Sequence, residues 1–544
     1  MKQAQAAPTD LQPGQISERL WRISSLSLLA VAAFLRLYNL ALVPFHHDEG
    51  VNGNFLVQLV REGIYTYDPS NYHGPTLYYF SAVIVWILRF LFGESAQNTY
   101  GINTVTLRLV PALFGLATVW LVLLLRRRLG TVGTLCAAAL LAVSPGAVYL
   151  SRYFIHETLF VFFTLGVVVA SIKAYEERHP IYVVLASMSA GLLFATKETA
   201  VISAAVLAIA LFTTQLYLWL RKVFGIDKKS RSQKNAADAK NDDSISLVER
   251  FGGPGMIATL IVLALVLFGL INILFYSSFF SNYPKGVYDA VKTFEFWAKT
   301  GKESHVHPLT TYFAWLVLQE SPLLSLGFVG AALVVWKPNN LFALFAALWA
   351  FGLIAAYSLI GYKTPWLCLN FVVPLTLISG HALQVLYEQA WCQLRAVIVV
   401  MALAITVSGY QTIKLNFFNY DDERYVYVYA HTYREMLALV NQINQIASVT
   451  GEKERLGITI VSRDYWPLPW YLRDYTAVGY HGRMTASIQP IIIASEDQRD
   501  EAQSMFGDSY QQVKSAFNPD GSYRLRPGVN LLLYVRKDVL PRLR

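Results

Sequence analysis

Residues 75–92, PTLYYFSAVIVWILRFLF, are apolar almost throughout, and whether they cross a membrane or lie along it decides the sidedness of all that follows. If they cross, Arg126, Arg127 and Arg128 fall on the side of the loop after the first apolar run. If they lie flat or re-enter, these arginines share a side with Arg19 and Arg22 of the N-terminal tail. Lys173, Arg178, the basic stretch 221–234, Lys337 and Arg395 then fall on that side too. Lys and Arg collect in the cytoplasmic loops of membrane proteins. The second arrangement is therefore the expected one, with 75–92 at the interface.

Working outward, apolar runs of membrane length cover 23–43, 104–125, 131–150, 158–175, 181–199, 200–220, 256–276, 321–336, 341–360, 366–387 and 395–413. Each must be helical in a bilayer, where backbone polar groups have no water to bond. The expected fold class is a polytopic α-helical membrane protein of about eleven spans with a C-terminal extracytoplasmic α/β domain. Composition agrees: of 544 residues, 55% are hydrophobic and 15% charged, against about 25% charged in soluble domains. Disordered chains, fibrous repeats and small disulfide scaffolds are excluded. The net charge of +9 sits at the ends of apolar runs and does not indicate nucleic acid. Cys136, Cys368 and Cys392 have unrelated spacing, which suggests neither a disulfide framework nor a zinc site. The first apolar run starts late and lacks a cleavage site, so a cleaved signal is not expected.

Three regions follow from this division. Residues 1–22 read as a cytoplasmic tail and 23–413 as the membrane module. The module carries outer loops 44–103 and 277–320 and a polar, mobile cytoplasmic linker, 221–255. Residues 414–544 read as the soluble domain, with an amphipathic helix over 425–447 and buried strands at 458–462, 490–495 and 530–535.

With this topology the charged motifs all fall at the outer ends of helices. PFHHDEG (44–50) offers Asp48 and Glu49 beside His46 and His47, suited to taking a proton or holding a cation; the acidic pair also suits the N-terminus of a helix over 50–61. SRYFIHETLFVFF (151–163) carries Arg152, His156 and Glu157, and TKETA (196–200) carries Lys197 and Glu198. In LIGYKTPWLCLNFVVP (359–374), Gly361 and Pro365 break the helix where Lys363 stands. Each of these also reads as an interfacial anchor or cap. His73, His305 and His307 could join the pair at 46–49 around a divalent metal, although no strict ligand spacing is present. SRDYWPLPWYLRDY (462–475) could stack on sugar rings or pack the soluble domain against the bilayer.

HHDEG after the first span, HGPTLYYF, RLVPALFGLATVWLVLLLRRRLG and SRYFIHETLFVFF together resemble the GT-C class of membrane glycosyltransferases. That class includes the protein O-mannosyltransferases and the lipid A aminoarabinose transferases. FHHDEG with YWPLPWYLRDY is most similar to the prokaryotic flippase-activity-associated family of archaeal glycosylation. The resemblance spans roughly 23–380 and one short motif of the tail. It implies a polyprenyl-phosphate-linked sugar as donor, a membrane lipid environment, and a glycan, lipid or protein acceptor at the outer face of the cell membrane. Asp48, with Glu49 beside it, matches the acidic residue that acts as base or orients the acceptor. Glu157 stands where the family usually has Asp after its SR motif. Arg152, Lys197 and Lys363 would hold the donor phosphate, supported by His47, His73, His156, Glu198 and His307.

The residues themselves suit such chemistry. Displacing a polyprenyl phosphate from an anomeric carbon builds charge on phosphate and requires removal of an acceptor proton. Cations and a carboxylate base supply those terms, and direct displacement inverts the anomeric centre. The alternatives are a transporter or flippase, which would carry polar residues at mid-bilayer, and a non-catalytic component of a flippase or glycosylation assembly.

Overall fold

The computed structural model describes residues 16–71, 73–93, 101–224, 251–300, 305–338, 340–389 and 393–543. Most of the expected cytoplasmic linker, most of the N-terminal tail and Cys392 lie outside them. Among the described residues eight helices are long and apolar enough to cross a membrane, and two bent pairs raise the count to ten if each is one span. One pair, Thr131–Ala142 and Pro145–Ser151, bends by 58°. Pro145 cannot donate to the preceding turn, and Ser144 Oγ starts the next helix by accepting from Ala147 N at 3.2 Å. The other pair, Thr311–Gln319 and Ser321–Trp336, bends by 114°.

The run expected over 181–199 is a shorter helix, Pro180–Phe194, of 15 residues. It stops early because the chain turns at 195–199, which is what frees Lys197 from the helix. Residues 75–92 form the helix Thr76–Phe92, whose last residues Phe90, Leu91 and Phe92 are exposed.

Alternating helix directions bring the basic clusters to one end of the bundle. There Arg126 pairs with Glu18 at 2.7 Å and Arg128 with Glu176 at 2.6 Å. Asn340 donates to the Arg128 carbonyl, and Arg221 to that of Pro338. The acidic motifs lie at the opposite end.

After the last long helix the chain does not enter a helix at 425. Residues 419–433 run as an irregular strap, and the helix is Met436–Thr450. The alternating YVYVY stretch, rich in β-branched and aromatic residues, is a poor helix former. It instead buries Tyr427, Val428 and His431 against the bundle.

The soluble domain holds a six-stranded sheet of β1 (Ile458–Ile460), β2 (Val478–Tyr480), β3 (Ile491–Ser495), β4 (Tyr510–Val513), β5 (Tyr523–Arg526) and β6 (Val529–Arg536). The order is β2-β1-β3-β6-β4, with β5 also on β6. β1 is parallel to β2 and β3, and β6 is antiparallel to β3, β4 and β5. Side chains alternate between faces. Ile491, Ile493, Leu531 and Leu533 therefore meet the helix Met436–Thr450, while Ile492, Ala494, Leu532 and Tyr534 meet Ala502 and Phe506 of the helix Arg499–Phe506.

The loop after β1 docks the domain on the bundle. Trp470 is 2% exposed and stacks on Phe45 with centroids 4.4 Å apart, and Tyr471 Oη accepts from Phe45 N at 2.9 Å. Gly53 admits that indole: a Cβ there would stand 2.8 Å from Trp470. The aromatic motif 462–475 is therefore an interface between domain and membrane module.

Candidate active site

At the end of the bundle opposite the basic clusters is a cavity of about 300 Å³. His47, Asp48, His73, Glu157 and Lys197 all face it. They come from four places in the chain: the helix His47–Glu62 supplies the first two, the loop before Thr76–Phe92 the third, the first turn of Glu157–Glu177 the fourth and the turn at 195–199 the last.

The neighbours Asp48 and Glu49 differ completely in their surroundings. Glu49 is fully buried and faces away from the cavity. Its carboxylate accepts from Arg108 Nε at 2.7 Å and Nη2 at 2.6 Å, from Phe154 N at 2.7 Å and from His46 N at 3.1 Å. Arg108, itself buried, also donates to the carbonyls of Leu40, Val43 and Pro44. The pair clamps the segment before the helix to two spans. That corrects the expectation of a catalytic Glu49, because every acceptor position facing a donor is already used. A lone arginine inside the apolar run 104–125 was the signal for this partner, since such residues are rarely unpaired.

Asp48 has a side chain 41% exposed to the cavity, and among the described residues no donor is hydrogen-bonded to its carboxylate. Its main-chain N–H donates to His46 Nδ1 at 3.1 Å, and His46 Nε2–H donates to the Tyr429 carbonyl at 3.1 Å. These bonds require a neutral His46, in line with burial pushing its pKa down to about 4. Desolvation by the surrounding wall raises the pKa of Asp48 above the ordinary carboxylate value, while His47, His73 and Lys197 oppose that shift and Glu157 reinforces it. A carboxylate so placed can accept a proton from a bound hydroxyl.

Lys197 Nζ donates to Glu157 Oε1 at 2.5 Å, both side chains being almost fully buried. A short antiparallel pairing holds the lysine in place. His73 bridges Lys197, and Gly74 N donates to the Thr196 carbonyl at 3.0 Å. A Cβ at Gly74 would lie 2.1 Å from the Ala195 carbonyl oxygen, so only glycine permits this approach. His156, expected as a supporting group, is behind the cavity and donates from Nε2 to the Gly74 carbonyl at 2.9 Å. Glu198 is also behind it and accepts from His73 Nδ1 at 3.3 Å.

Two expected phosphate ligands lie elsewhere. Arg152 donates to the carbonyls of Leu35, Arg36, Tyr38 and Asn39. It thus caps the C-terminus of the helix Glu18–Leu37, where unpaired carbonyls and the helix dipole favour a cation. Lys363 Nζ donates to the carbonyls of Ile360 at 2.5 Å and His307 at 3.2 Å, fastening 305–307 to 360–363. Its neighbours Tyr362 and Thr364 face the cavity in its stead. His307 is turned toward Trp315, and His305 takes the place expected for it.

Asn52, Thr199, Tyr357 and Trp366 also line the cavity without standing out in the sequence. Among the described residues no group of three or more His, Cys, Asp or Glu is placed to hold a metal ion. The histidines divide among separate partners, which disagrees with the divalent-metal reading of His73, His305 and His307.

Comparison with known proteins agrees with this architecture. The model of the dolichyl-phosphate-mannose-protein mannosyltransferase family matches residues 83–226. No curated protein matches the chain. ArnT from Cupriavidus metallidurans, solved bound to undecaprenyl phosphate, superposes with a TM-score of 0.59 at 13% identity, covering 95% of this chain and 98% of ArnT. The Archaeoglobus fulgidus oligosaccharyltransferase, solved with a tethered acceptor peptide, gives a TM-score of 0.52 at 14% identity, covering 94% of this chain and 74% of that one. Likeness at such identity is likeness of fold, and it extends over nearly the whole chain, including the soluble domain. The protein is thus a multi-pass membrane protein with the fold of the GT-C glycosyltransferases.

Proposed function

We propose that the chain is a glycosyltransferase that moves a sugar from a polyprenyl-phosphate donor to an acceptor at the extracytoplasmic face of the cell membrane. The observation that carries this reading is the meeting of Asp48, Glu157 and Lys197 in one cavity. Asp48 takes the acceptor hydroxyl proton as the acceptor oxygen attacks the anomeric carbon. The bond from that carbon to the phosphate oxygen breaks, and the polyprenyl phosphate leaves with the pair of electrons. The product sugar has the inverted configuration. Lys197, oriented by Glu157, stabilises the charge that grows on the departing phosphate.

A second feature supports a lipid donor. Along the same two helices that supply Ile202 and Tyr357 to the cavity lies an apolar groove of about 420 Å³, bounded by Val206, Ala210, Leu344, Ala347, Phe351 and Gly352. A polyprenyl tail held there remains in hydrocarbon while its phosphate reaches the cavity. The positive-inside distribution of Arg126–Arg128, Arg221 and Lys337 supports an extracytoplasmic site. The charges of the site gather at one end of the bundle, which favours transfer over transport along a pathway. The acceptor is a glycan, lipid or protein.

The test is Asp48→Asn in membranes supplied with a polyprenyl-phosphate sugar. Sugar transfer is expected to fall by about 10² to 10⁴ while the protein still inserts and accumulates; undiminished transfer would remove Asp48 as the base. Absence of transfer by the parent with any such donor would favour a non-catalytic component instead.

A further inference from the structure

We infer that Tyr429, on the strap leading to the soluble domain, is a positioning residue that aims His305 into the cavity as a hydrogen-bond donor to the donor phosphate. The inference rests on the glycosyl-transfer reading above. Tyr429 touches three walls of the site. Its carbonyl accepts from His46 Nε2, at the start of the helix that bears Asp48. Its phenol is 2.7 Å from His305 Nδ1, and its ring packs against Trp366 with centroids 5.9 Å apart. His305 and Trp366 both line the cavity.

The chemistry of the contact sets its direction. A phenol is the better donor and an imidazole nitrogen the better acceptor, so Tyr429 Oη–H donates to Nδ1. That leaves the ring hydrogen of His305 on Nε2, which among the described residues has no protein partner. Desolvation, with His307 close by, lowers the His305 pKa against the opposing pull of Asp48, and in the neutral ring the Tyr429 hydrogen bond selects the tautomer.

The backbone points the same way. Ala430 has φ +50° and His305 has φ +52°, a left-handed conformation that residues with a Cβ adopt rarely. His305 makes the contact and Ala430 is the residue that follows Tyr429, and strain persists where surrounding bonds over-determine it. On the His305 side those bonds are the pairing of Val306 with Tyr362 and the bond from Lys363 N to the His305 carbonyl at 3.0 Å. On the strap side they are the His46 bond and Tyr149 Oη against His431 at 3.2 Å. No proton is transferred by His305: it donates a hydrogen bond that strengthens as charge grows on the phosphate, while the acceptor proton goes to Asp48.

The experiment measures binding of undecaprenyl phosphate to the purified full-length protein and turnover with a polyprenyl-phosphate sugar. His305→Ala is expected to lower kcat by about a hundredfold, as loss of an oriented donor does. Tyr429→Phe is expected to lower kcat roughly five- to tenfold, the worth of one hydrogen bond, with KM for the acceptor unchanged. In the His305→Ala background Tyr429→Phe should have no further effect, because it acts only through His305. His305→Gln, which carries its own N–H, should restore part of the loss and be indifferent to Tyr429.

Equal kcat in parent and Tyr429→Phe, or losses that multiply in the double variant, would overturn the assignment. A parent that neither binds undecaprenyl phosphate nor turns over would instead overturn the glycosyl-transfer reading, and this inference with it.

Discussion

The adjacent carboxylates Asp48 and Glu49 should separate function from stability in a single experiment. Glu49→Gln keeps the volume of the side chain but replaces one acceptor oxygen by a donor. It also leaves the buried Arg108 guanidinium, now paired at 2.6 and 2.7 Å, without its counter-charge. Breaking one partner of a buried ion pair costs about 3–5 kcal/mol, a large share of the 5–15 kcal/mol that holds a typical domain folded. Asp48→Asn removes no hydrogen bond among the described residues and faces open cavity. Its effect on stability should stay within about 0.5 kcal/mol. The raised pKa of Asp48 gives the sign: the ionised form is less favourable in the folded state than in the unfolded one, so neutral asparagine should not destabilise at neutral pH. Turnover should fall by about 10² to 10⁴, the contribution of a positioned base. The assay is thermal unfolding of both purified variants beside release of lipid phosphate from a polyprenyl-phosphate sugar. A stable, fully folded Glu49→Gln protein, or an Asp48→Asn protein that melts early, would refute this division of roles.

Other outcomes follow from the same geometry. Because Asp48 must be ionised to act and its pKa is raised, the rate should fall as pH drops through a value above the ordinary carboxylate range, and this acid limb should vanish in Asp48→Asn; a pH–rate profile of kcat/KM measures both. Gly74→Ala places a Cβ 2.1 Å from the Ala195 carbonyl, so it should displace the turn bearing Lys197 and weaken donor binding at least tenfold, read by titration with undecaprenyl phosphate. Cysteines introduced at Lys228 and Arg463 should differ in sealed cells toward an impermeant thiol reagent, the first protected and the second labelled; the reverse pattern would invert the proposed sidedness.

Much of this architecture was legible because the two strongest signals in the sequence are physically simple. Apolar runs must be helices in a bilayer, and cations mark one side of it, so Asp48, Glu157 and Lys197 could be sorted to a common end before any contact was known. The buried apolar runs at 458–462, 490–495 and 530–535 likewise became β1, β3 and β6. What stayed hidden depends on partners distant along the chain. Arg152 and Lys363 carry the same charge at the same kind of boundary as Lys197. Only the fold reveals that their donors are spent on carbonyls 113 or more residues away for the first, and on those of Ile360 and His307 for the second. Glu49 could not be told from Asp48 because its anchor, Arg108, is 59 residues downstream. His305 and His307 differ by two positions and would share a face in a regular strand; the left-handed backbone at His305, φ +52°, breaks that pattern, and only His305 faces the cavity.

The most direct measurement of the central claim is the anomeric configuration of the sugar in the product formed by the purified protein from a polyprenyl-phosphate donor of known configuration. One carboxylate base acting in a single displacement should yield the inverted linkage together with one free polyprenyl phosphate per sugar transferred. A retained configuration, or no release of lipid phosphate at all, would contradict a single cavity in which Asp48 deprotonates the acceptor while Lys197 receives the leaving phosphate.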